Sequence, residues 1–176
     1  MNAPLPPQAD PFSSLDVGLQ RLQQRIPDLP IDAIRLARIL LELGRMLSAR
    51  LDAALASCRL NEMEFRTLAM IYANDDRTVH PSELCTVTSQ TRGNMTRTCD
   101  ALVHRGLLAR ETDPHDRRRI QLHITDTGRL FVHDVLPNLY PILQTLAQHI
   151  EAAEHDTLET QLRNIATTLQ ENPAHE

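Results

Sequence analysis

Basic side chains that could bind the phosphates and bases of DNA are concentrated in one part of this sequence. Residues 90–119 contain seven arginines and four acidic residues, a net charge of +3, whereas the whole chain of 176 residues has a net charge of −5. The remaining residues therefore carry −8. Because proteins bind nucleic acid through a local basic surface, this segregation indicates a DNA partner despite the acidic total. All 18 basic residues are arginines, so every cation can donate two parallel hydrogen bonds.

The polar residues at the start of this window suit a DNA-reading helix. On a helical wheel of residues 90–105, Met95, Cys99 and Leu102 share an apolar face. The residues expected to meet DNA are Gln90, Thr91, Arg92, Gly93, Asn94, Thr96 and Arg97. Amide and guanidinium groups pair with adenine or guanine edges in the major groove, and Gly93 lets the backbone approach the duplex closely.

A loop between two extended segments is the second candidate DNA contact. Residues 107–112 and 119–124 are predicted strands, the second because apolar and polar residues alternate along it. The loop between them contains Asp116, Arg117 and Arg118. An arginine at a hairpin tip can enter the narrow minor groove, and Asp116 would orient its guanidinium.

Apolar spacing predicts the helices that position these residues. Residues 1–12 are rich in proline and are expected to be disordered, and a short helix follows from about Ser13. A helix of about 25 residues comes next, then one capped by Asn61 and one starting at Pro81. The DNA-reading helix spans about residues 91–105 and ends at Gly106, the position of a left-handed C-cap.

Two more helices follow the predicted hairpin. The first begins after Thr125 and is expected to bend near Pro137 or Pro141. The last carries leucine and isoleucine at the spacing of a coiled-coil seam, at Leu158, Leu162, Ile165 and Leu169. Long helices with such stripes at both ends of the chain predict a dimer.

Five segments of the chain closely resemble the MarR family of bacterial repressors. They are Pro81–Leu84, Ser89–Arg97, Ala101–Arg110, Asp113–Arg119 and Ile124–Gly128. The resemblance covers about residues 31–170, and its most specific part is the Asp-Arg-Arg loop followed by Thr-x-x-Gly. The sequence departs from the family pattern at His80, where Ser or Thr usually caps the helix, and in its longer N-terminal extension.

The multidrug-efflux repressors are the most similar branch, on the evidence of Asn94, Thr96, Arg97 and the Val135-Leu-Pro segment. The resemblance implies a mainly α fold with a small β-hairpin wing: a winged helix-turn-helix domain between N- and C-terminal dimerisation helices. The expected domains are residues 13–60 for dimerisation, 61–124 for DNA binding and 125–172 for dimerisation. The implied protein is a homodimer that binds a pseudo-palindromic operator and is released by a small, often phenolic, effector.

Candidate effector residues follow from the same resemblance, which places a pocket beneath the first and second helices. Arg45 matches a position that contacts ligand in some relatives, and Arg38 lies seven residues before it. Arg66 is expected beside Met70, whose flexible side chain suits an adaptable apolar wall.

Other chemistries have weaker support. The thiols Cys58, Cys85 and Cys99 leave open a redox-sensing repressor, although Cys99 is predicted to be buried. No metal-ligand spacing or catalytic motif occurs, so neither a cofactor nor an enzyme activity is expected. A helical protein-interaction dimer that has lost DNA binding, such as an anti-repressor, is the remaining alternative.

The sequence contains no apolar run long enough to span a membrane and no secretory signal at its start. A cytoplasmic location is therefore expected. The low content of Phe and Tyr, without Trp, argues against a single-strand binder that stacks bases on aromatic rings.

Overall fold

The computed structural model describes residues 12–75, 77–113, 116 and 119–171. Within these ranges the chain forms helices and one antiparallel hairpin, which confirms the predicted mainly α fold with a small wing. The elements in chain order are α1 (Ser13–Arg25), α2 (Ile31–Leu55), the 3-10 turn Ala56–Cys58, α3 (Glu62–Tyr72), α4 (Pro81–Thr88), α5 (Arg92–His104), β1 (Leu108–Thr112), β2 (Ile120–Ile124), α6 (Asp126–Ala147), the 3-10 turn Ala152–Glu154 and α7 (His155–Glu171).

The chain divides into two compact units between Arg50 and Leu51. In the first unit, Arg35 Nε donates to Asp16 Oδ1 over 3.2 Å and joins α2 to α1. The last turn of α2 belongs to the second unit, with the helix-turn-helix, the hairpin, α6 and α7. The segment 1–11, most of the stretch expected to be disordered, lies outside the described residues.

Aliphatic side chains form the core of the second unit. Leu55, Leu68, Leu102 and Leu122 are fully buried, and Val132 of α6 joins them. Each such side chain contributes about 1.5 to 3 kcal/mol when it is removed from water. The core therefore holds α5 with its apolar face inward.

Local caps explain where the helices begin and end. Asn61 Oδ1 accepts from the Glu64 amide over 2.8 Å, and Glu64 Oε2 accepts from the Asn61 amide over 3.0 Å, which is a capping box at the start of α3. Gly106, with a φ of 69°, ends the α5 segment in the left-handed region, as predicted.

The hairpin that forms the wing is joined to the segment before α4. β1 pairs with β2 so that Leu108 lies opposite Ile124 and Thr112 opposite Ile120. The Leu122 amide donates to the carbonyl oxygen of Val79 over 2.9 Å and adds an isolated bridge to the hairpin. Each strand begins one residue later than the sequence predicts.

The Thr-x-x-Gly motif fastens the start of α6 to the end of the α5 segment. Thr125 Oγ1 accepts from the Gly128 amide over 2.9 Å and donates to the carbonyl oxygen of Gly106, 2.7 Å away. A Cβ on Gly128 would overlap the carbonyl oxygen of Leu107 and lie 2.8 Å from Cγ1 of Ile124. The motif therefore needs Thr125 for the two hydrogen bonds and Gly128 for the close approach to Leu107.

Beyond this point α6 runs as one helix through Pro137 and Pro141. Its first part carries the buried Val135 and Leu139, whereas its last turns expose Leu143 and Leu146. The apolar stripe of α7 is also exposed, with Leu169 at 70 %. None of the helices in the described part of the chain has the length and hydropathy to cross a membrane.

Candidate nucleic-acid interface

Helices α4 and α5 form a helix-turn-helix whose tight turn contains a left-handed residue. Ser89 has a φ of 53° and ends α4. The chain then turns into α5, where Thr91 Oγ1 accepts from the Asn94 amide over 3.3 Å. α5 therefore begins directly after the turn, with its first residues at the surface.

The predicted DNA-reading residues lie together around this first turn of α5. Met95 and Cys99 are buried beneath it, at 1 % and 0 % exposure, as the helical wheel predicts. Gln90 is half-buried. The exposed residues are Thr91, Arg92, Gly93, Asn94, Thr96 and Arg97.

Three of these side chains form a hydrogen-bonded row. Asn94 Nδ2 donates to Gln90 Oε1 over 3.3 Å, and Arg97 Nη2 donates to Asn94 Oδ1. Bidentate pairing with a base edge costs less conformational entropy when the orientation of the side chains is already restricted. The row supplies such a restriction to the guanidinium and to both amides.

A cleft of about 420 Å³ opens between α4, α5 and the hairpin. Three arginines line it: Arg92 from α5, Arg110 from β1 and Arg119 from the segment before β2. Arg110 Nη1 lies 2.7 Å from Asp100 Oδ1, so the strand residue is tied to α5. The cleft continues the basic surface from α5 onto the wing.

Arg110 and Arg119 were part of the predicted basic window but not of the predicted site. The alternation of side chains along a strand could have identified Arg110 as a site residue. It lies two residues after the buried Leu108 and therefore on the same side of β1, which faces the core and α5.

Hydrogen bonds join three described residues of the wing segment, Asp113, Asp116 and Arg119. The Asp113 amide donates to the carbonyl oxygen of Arg119 over 3.0 Å, and the Asp116 amide donates to Asp113 Oδ1 over 3.2 Å. Asp113 is buried, at 8 % exposure. The predicted wing contacts Arg117 and Arg118 lie outside the described residues.

His80, where the sequence departs from the family pattern, contacts the hairpin and does not cap α4. Its side chain makes no cap bond to α4; instead Nδ1 lies 2.8 Å from the carbonyl oxygen of Ile120 in β2. Arg77 Nη1 donates to Glu83 Oε2 over 2.8 Å and holds the pKa of that carboxyl below its ordinary value. The start of α4 is thus attached to the hairpin and to the turn before it.

Two of the three effector candidates line one apolar pocket. It measures about 360 Å³, and Arg66 and Met70 of α3 lie on its wall. The apolar residues around them are Leu51, Leu55, Phe65, Ala69, Ala73, Leu136, Leu139 and Leu143. Arg66 Nη1 lies 4.0 Å from Glu62 Oε1, and the Arg66 side chain is 42 % exposed. Its guanidinium therefore lies at the edge of the apolar cavity.

Arg45 lies elsewhere, in the first unit. Its guanidinium donates from Nε to Glu42 Oε2 over 3.0 Å, and this pairing lowers the pKa of the Glu42 carboxyl. Together with Arg38 it lines a separate cavity of about 350 Å³ between α1 and α2. Arg45 is not among the residues that line the pocket of Arg66 and Met70.

The thiols differ in their surroundings. Burial raises the pKa of the Cys99 thiol to about 11, whereas Cys58 and Cys85 are half-buried. In the part of the chain that the structure describes, no group of three or more His, Cys, Asp or Glu side chains is arranged to hold a metal ion.

Comparison with known proteins shows similarity to transcriptional regulators that contain a helix-turn-helix. The family profile described as the MarR family matches residues 60–119, from the start of α3 into the wing. The transcriptional repressor MprA of Escherichia coli K12 is 28 % identical to this chain over 158 residues, which is 90 % of each chain.

Solved structures show the same fold. A mutant MarR from E. coli, complexed with operator DNA, is 26 % identical and matches with a TM-score of 0.69, over 78 % of this chain and 98 % of that chain. BpsR of Bordetella bronchiseptica, at 22 % identity, matches with a TM-score of 0.66 over 74 % of this chain and 91 % of its own. The profile over the helix-turn-helix, the relative along nine-tenths of the sequence and the shared winged-helix fold together support a MarR-family transcriptional regulator.

Proposed function

We propose that this protein is a repressor that binds a pseudo-palindromic operator as a homodimer in the cytoplasm. The observation that carries the proposal is the hydrogen-bonded row Gln90, Asn94 and Arg97 at the exposed start of α5, beside the arginine-lined cleft. Two such helices related by a dimer axis would enter successive major grooves. Their centres would lie about 34 Å apart, one turn of the duplex.

The exposed apolar residues on the terminal helices support a dimer. Leu158, Leu162 and Leu169 of α7 are 37 to 70 % exposed, and Leu36 and Leu43 of α2 are each 48 % exposed. Apolar stripes of this kind gain stability when a second chain covers them. Residues 13–60 and 125–172 are therefore the proposed dimerisation parts, and 61–124 the DNA-binding part.

We further propose that the pocket of Arg66 and Met70 binds a small phenolic or aromatic effector. Its nearly continuous apolar wall suits an aromatic ring, and Arg66 at the edge suits an ionised oxygen. In BpsR of B. bronchiseptica, DNA binding is regulated by 6-hydroxynicotinic acid, a hydroxylated aromatic acid. The genes of a multidrug-efflux system are the proposed target, on the resemblance to the efflux-repressor branch.

Binding to DNA of known sequence tests the central part of the proposal. An operator selected from random DNA should contain two related half-sites. The logarithm of the association constant should fall with log salt concentration with a slope near −7 if each subunit contacts about four phosphates. A sequence-selective complex whose affinity does not depend on salt would contradict the electrostatic argument. A protein that selects no sequence would instead be the interaction dimer without DNA.

The effector is tested on the same complex with 6-hydroxynicotinate and salicylate as probes. Either compound should raise the operator Kd for the native protein and raise it less for Arg66→Met. Release by peroxide and not by these compounds would favour the thiol-switched alternative.

A further inference from the structure

Arg105 connects the end of the DNA-reading helix to two other elements. It directly follows α5, and its amide donates to the carbonyl oxygen of Ala101 over 3.2 Å. Its side chain donates from Nη1 to the carbonyl oxygen of Arg59 over 2.7 Å and from Nη2 to that of Cys58 over 2.9 Å. The guanidinium carbon also lies 5.2 Å from the centre of the Phe131 ring in α6.

The carbonyl groups that Arg105 binds belong to Cys58, the last residue of the 3-10 turn that follows α2, and to Arg59, the residue after that turn. The last carbonyls of a helix have no amide partner within it, and they form the negative end of the helix dipole. Arg59, with a φ of 54°, ends this turn in the left-handed region. Arg105 therefore supplies the C-terminal cap of this segment from a position 46 residues further along the chain.

This contact is additional to the packing of α5 against its main neighbours. α5 packs mainly against α3, α4 and β1. α2, in contrast, is the long helix whose exposed leucines belong to the proposed dimer interface. The side chain of Arg105 thus connects the end of the DNA-reading helix with the turn that follows α2 and with α6.

We propose that Arg105 is a positioning residue for operator binding. By holding the carbonyls of Cys58 and Arg59 and stacking on Phe131, it fixes the orientation of α5 relative to the turn after α2 and to α6, which belongs to the proposed dimerisation part. In a dimer this orientation sets the half-site spacing that the two DNA-reading helices accept. The inference rests on the dimeric DNA-binding function proposed above, and it places Arg105 on the protein side of the interface, not on DNA.

The test measures Kd for a series of operators whose half-sites are moved apart or together by one and two base pairs. The full-length native protein, Arg105→Lys, Arg105→Met and Phe131→Leu are compared at one salt concentration. Arg50→Met, at an exposed arginine of α2, is the control for the loss of one charge. Thermal unfolding and binding to a single half-site are measured for each variant.

The native protein and Arg50→Met should lose about tenfold in affinity for each base pair of altered spacing, because each step turns one half-site by about a tenth of a helical turn. Arg105→Met should lose this preference, and Arg105→Lys and Phe131→Leu should retain part of it, while single half-site binding stays near the native value. If Arg105→Met does not fold, the comparison of Arg105→Lys and Phe131→Leu with the native protein decides.

A purely structural role would weaken binding to all operators by the same factor, single half-sites included, and would overturn the proposal. An unchanged spacing profile in the folded variants would also overturn it. A native protein that selects no paired half-sites would refute the proposed dimeric function, which is a different failure from that of Arg105.

Discussion

The α-carbon of Gly128 in α6 faces the carbonyl oxygen of Leu107 so closely that no side-chain carbon fits between them. Gly128→Ala should therefore lower the free energy of unfolding by at least about 2 kcal/mol, since the α6 start must move away from the end of the α5 segment. Urea unfolding followed by circular dichroism measures this. Gly44→Ala, at a helical glycine with open space around it, is the control and should not destabilise the chain. Equal stabilities of the Gly128 variant and the native chain would contradict the packing argument.

Gly93 should respond in the opposite way. It lies in α5 with nothing within 4 Å of an added Cβ, so Gly93→Ala should stabilise the folded chain by about 0.5 to 1 kcal/mol through helix propensity. If the backbone approaches DNA here, the same variant should bind the operator more weakly. A variant that is more stable and binds DNA as well as the native protein would remove Gly93 from the interface.

Arg97 and Arg118 should differ in what they contribute to binding. Arg97→Met should relax the base preference of the half-site at a cost of about 1 to 3 kcal/mol, because its guanidinium lies in the row with Gln90 and Asn94. Arg118→Met, a test of the sequence-based wing prediction, should weaken binding with less effect on the major-groove sequence. Selection of operators from random DNA with each variant separates the two effects. Unchanged binding in both would mean that another surface contacts DNA.

The ion pair between Asp75 and Arg129 predicts a pH dependence of stability. Arg129 donates to both carboxylate oxygens, over 2.6 and 2.7 Å, and these bonds hold the pKa of Asp75 below its ordinary value of 3.8. A carboxyl with a lowered pKa stabilises the fold above the unfolded pKa, and this contribution is lost as the pH falls through the folded value. Asp75→Asn should therefore be less stable than the native chain at pH 7, with a difference that shrinks below about pH 4.

Urea unfolding at several pH values checks the Asp75 prediction. Asp134→Asn, at an aspartate of α6 that is 81 % exposed, is the matched control and should show no such convergence. A difference between native and Asp75→Asn that stays constant down to pH 2 would show that the pair is held by something other than charge.

Cys99 should be the least reactive thiol. With a pKa of about 11, about one part in a thousand is thiolate at pH 8, and the side chain is buried as well. Iodoacetamide should modify Cys58 and Cys85 before Cys99, and mass spectrometry of timed samples reads the order. Labelling in urea should remove the difference. Rapid modification of Cys99 in the folded protein would return the redox alternative to consideration.

The elements of the fold were largely predictable because each depends on nearby residues. The spacing of leucines predicted a helix of 25 residues in α2, and Asn61 and Gly106 marked helix ends by their own backbone preferences. The polar start of α5 followed from the same periodicity. These signals lie within one or two helical turns, so a single sequence contains them.

Contacts between distant segments were not predictable in this way. Arg110 joins Asp100 across two elements, and Arg105 binds carbonyl groups more than 40 residues away. The family resemblance named Arg45, Arg66 and Met70 as effector candidates, but only the packing of α3 and α6 shows that Arg66 and Met70 line a common apolar pocket. Such assignments require the tertiary packing itself.

The two prolines inside α6 have a mechanical consequence. Pro137 and Pro141 have no amide hydrogen, so the carbonyls four residues before them receive no helical bond. This gap coincides with the place where α6 leaves its buried stretch, after Leu139. The last turns of α6 are therefore held by fewer backbone hydrogen bonds than an uninterrupted helix would have, so contacts made by Leu143 and Leu146 should have a larger influence on the direction of this segment.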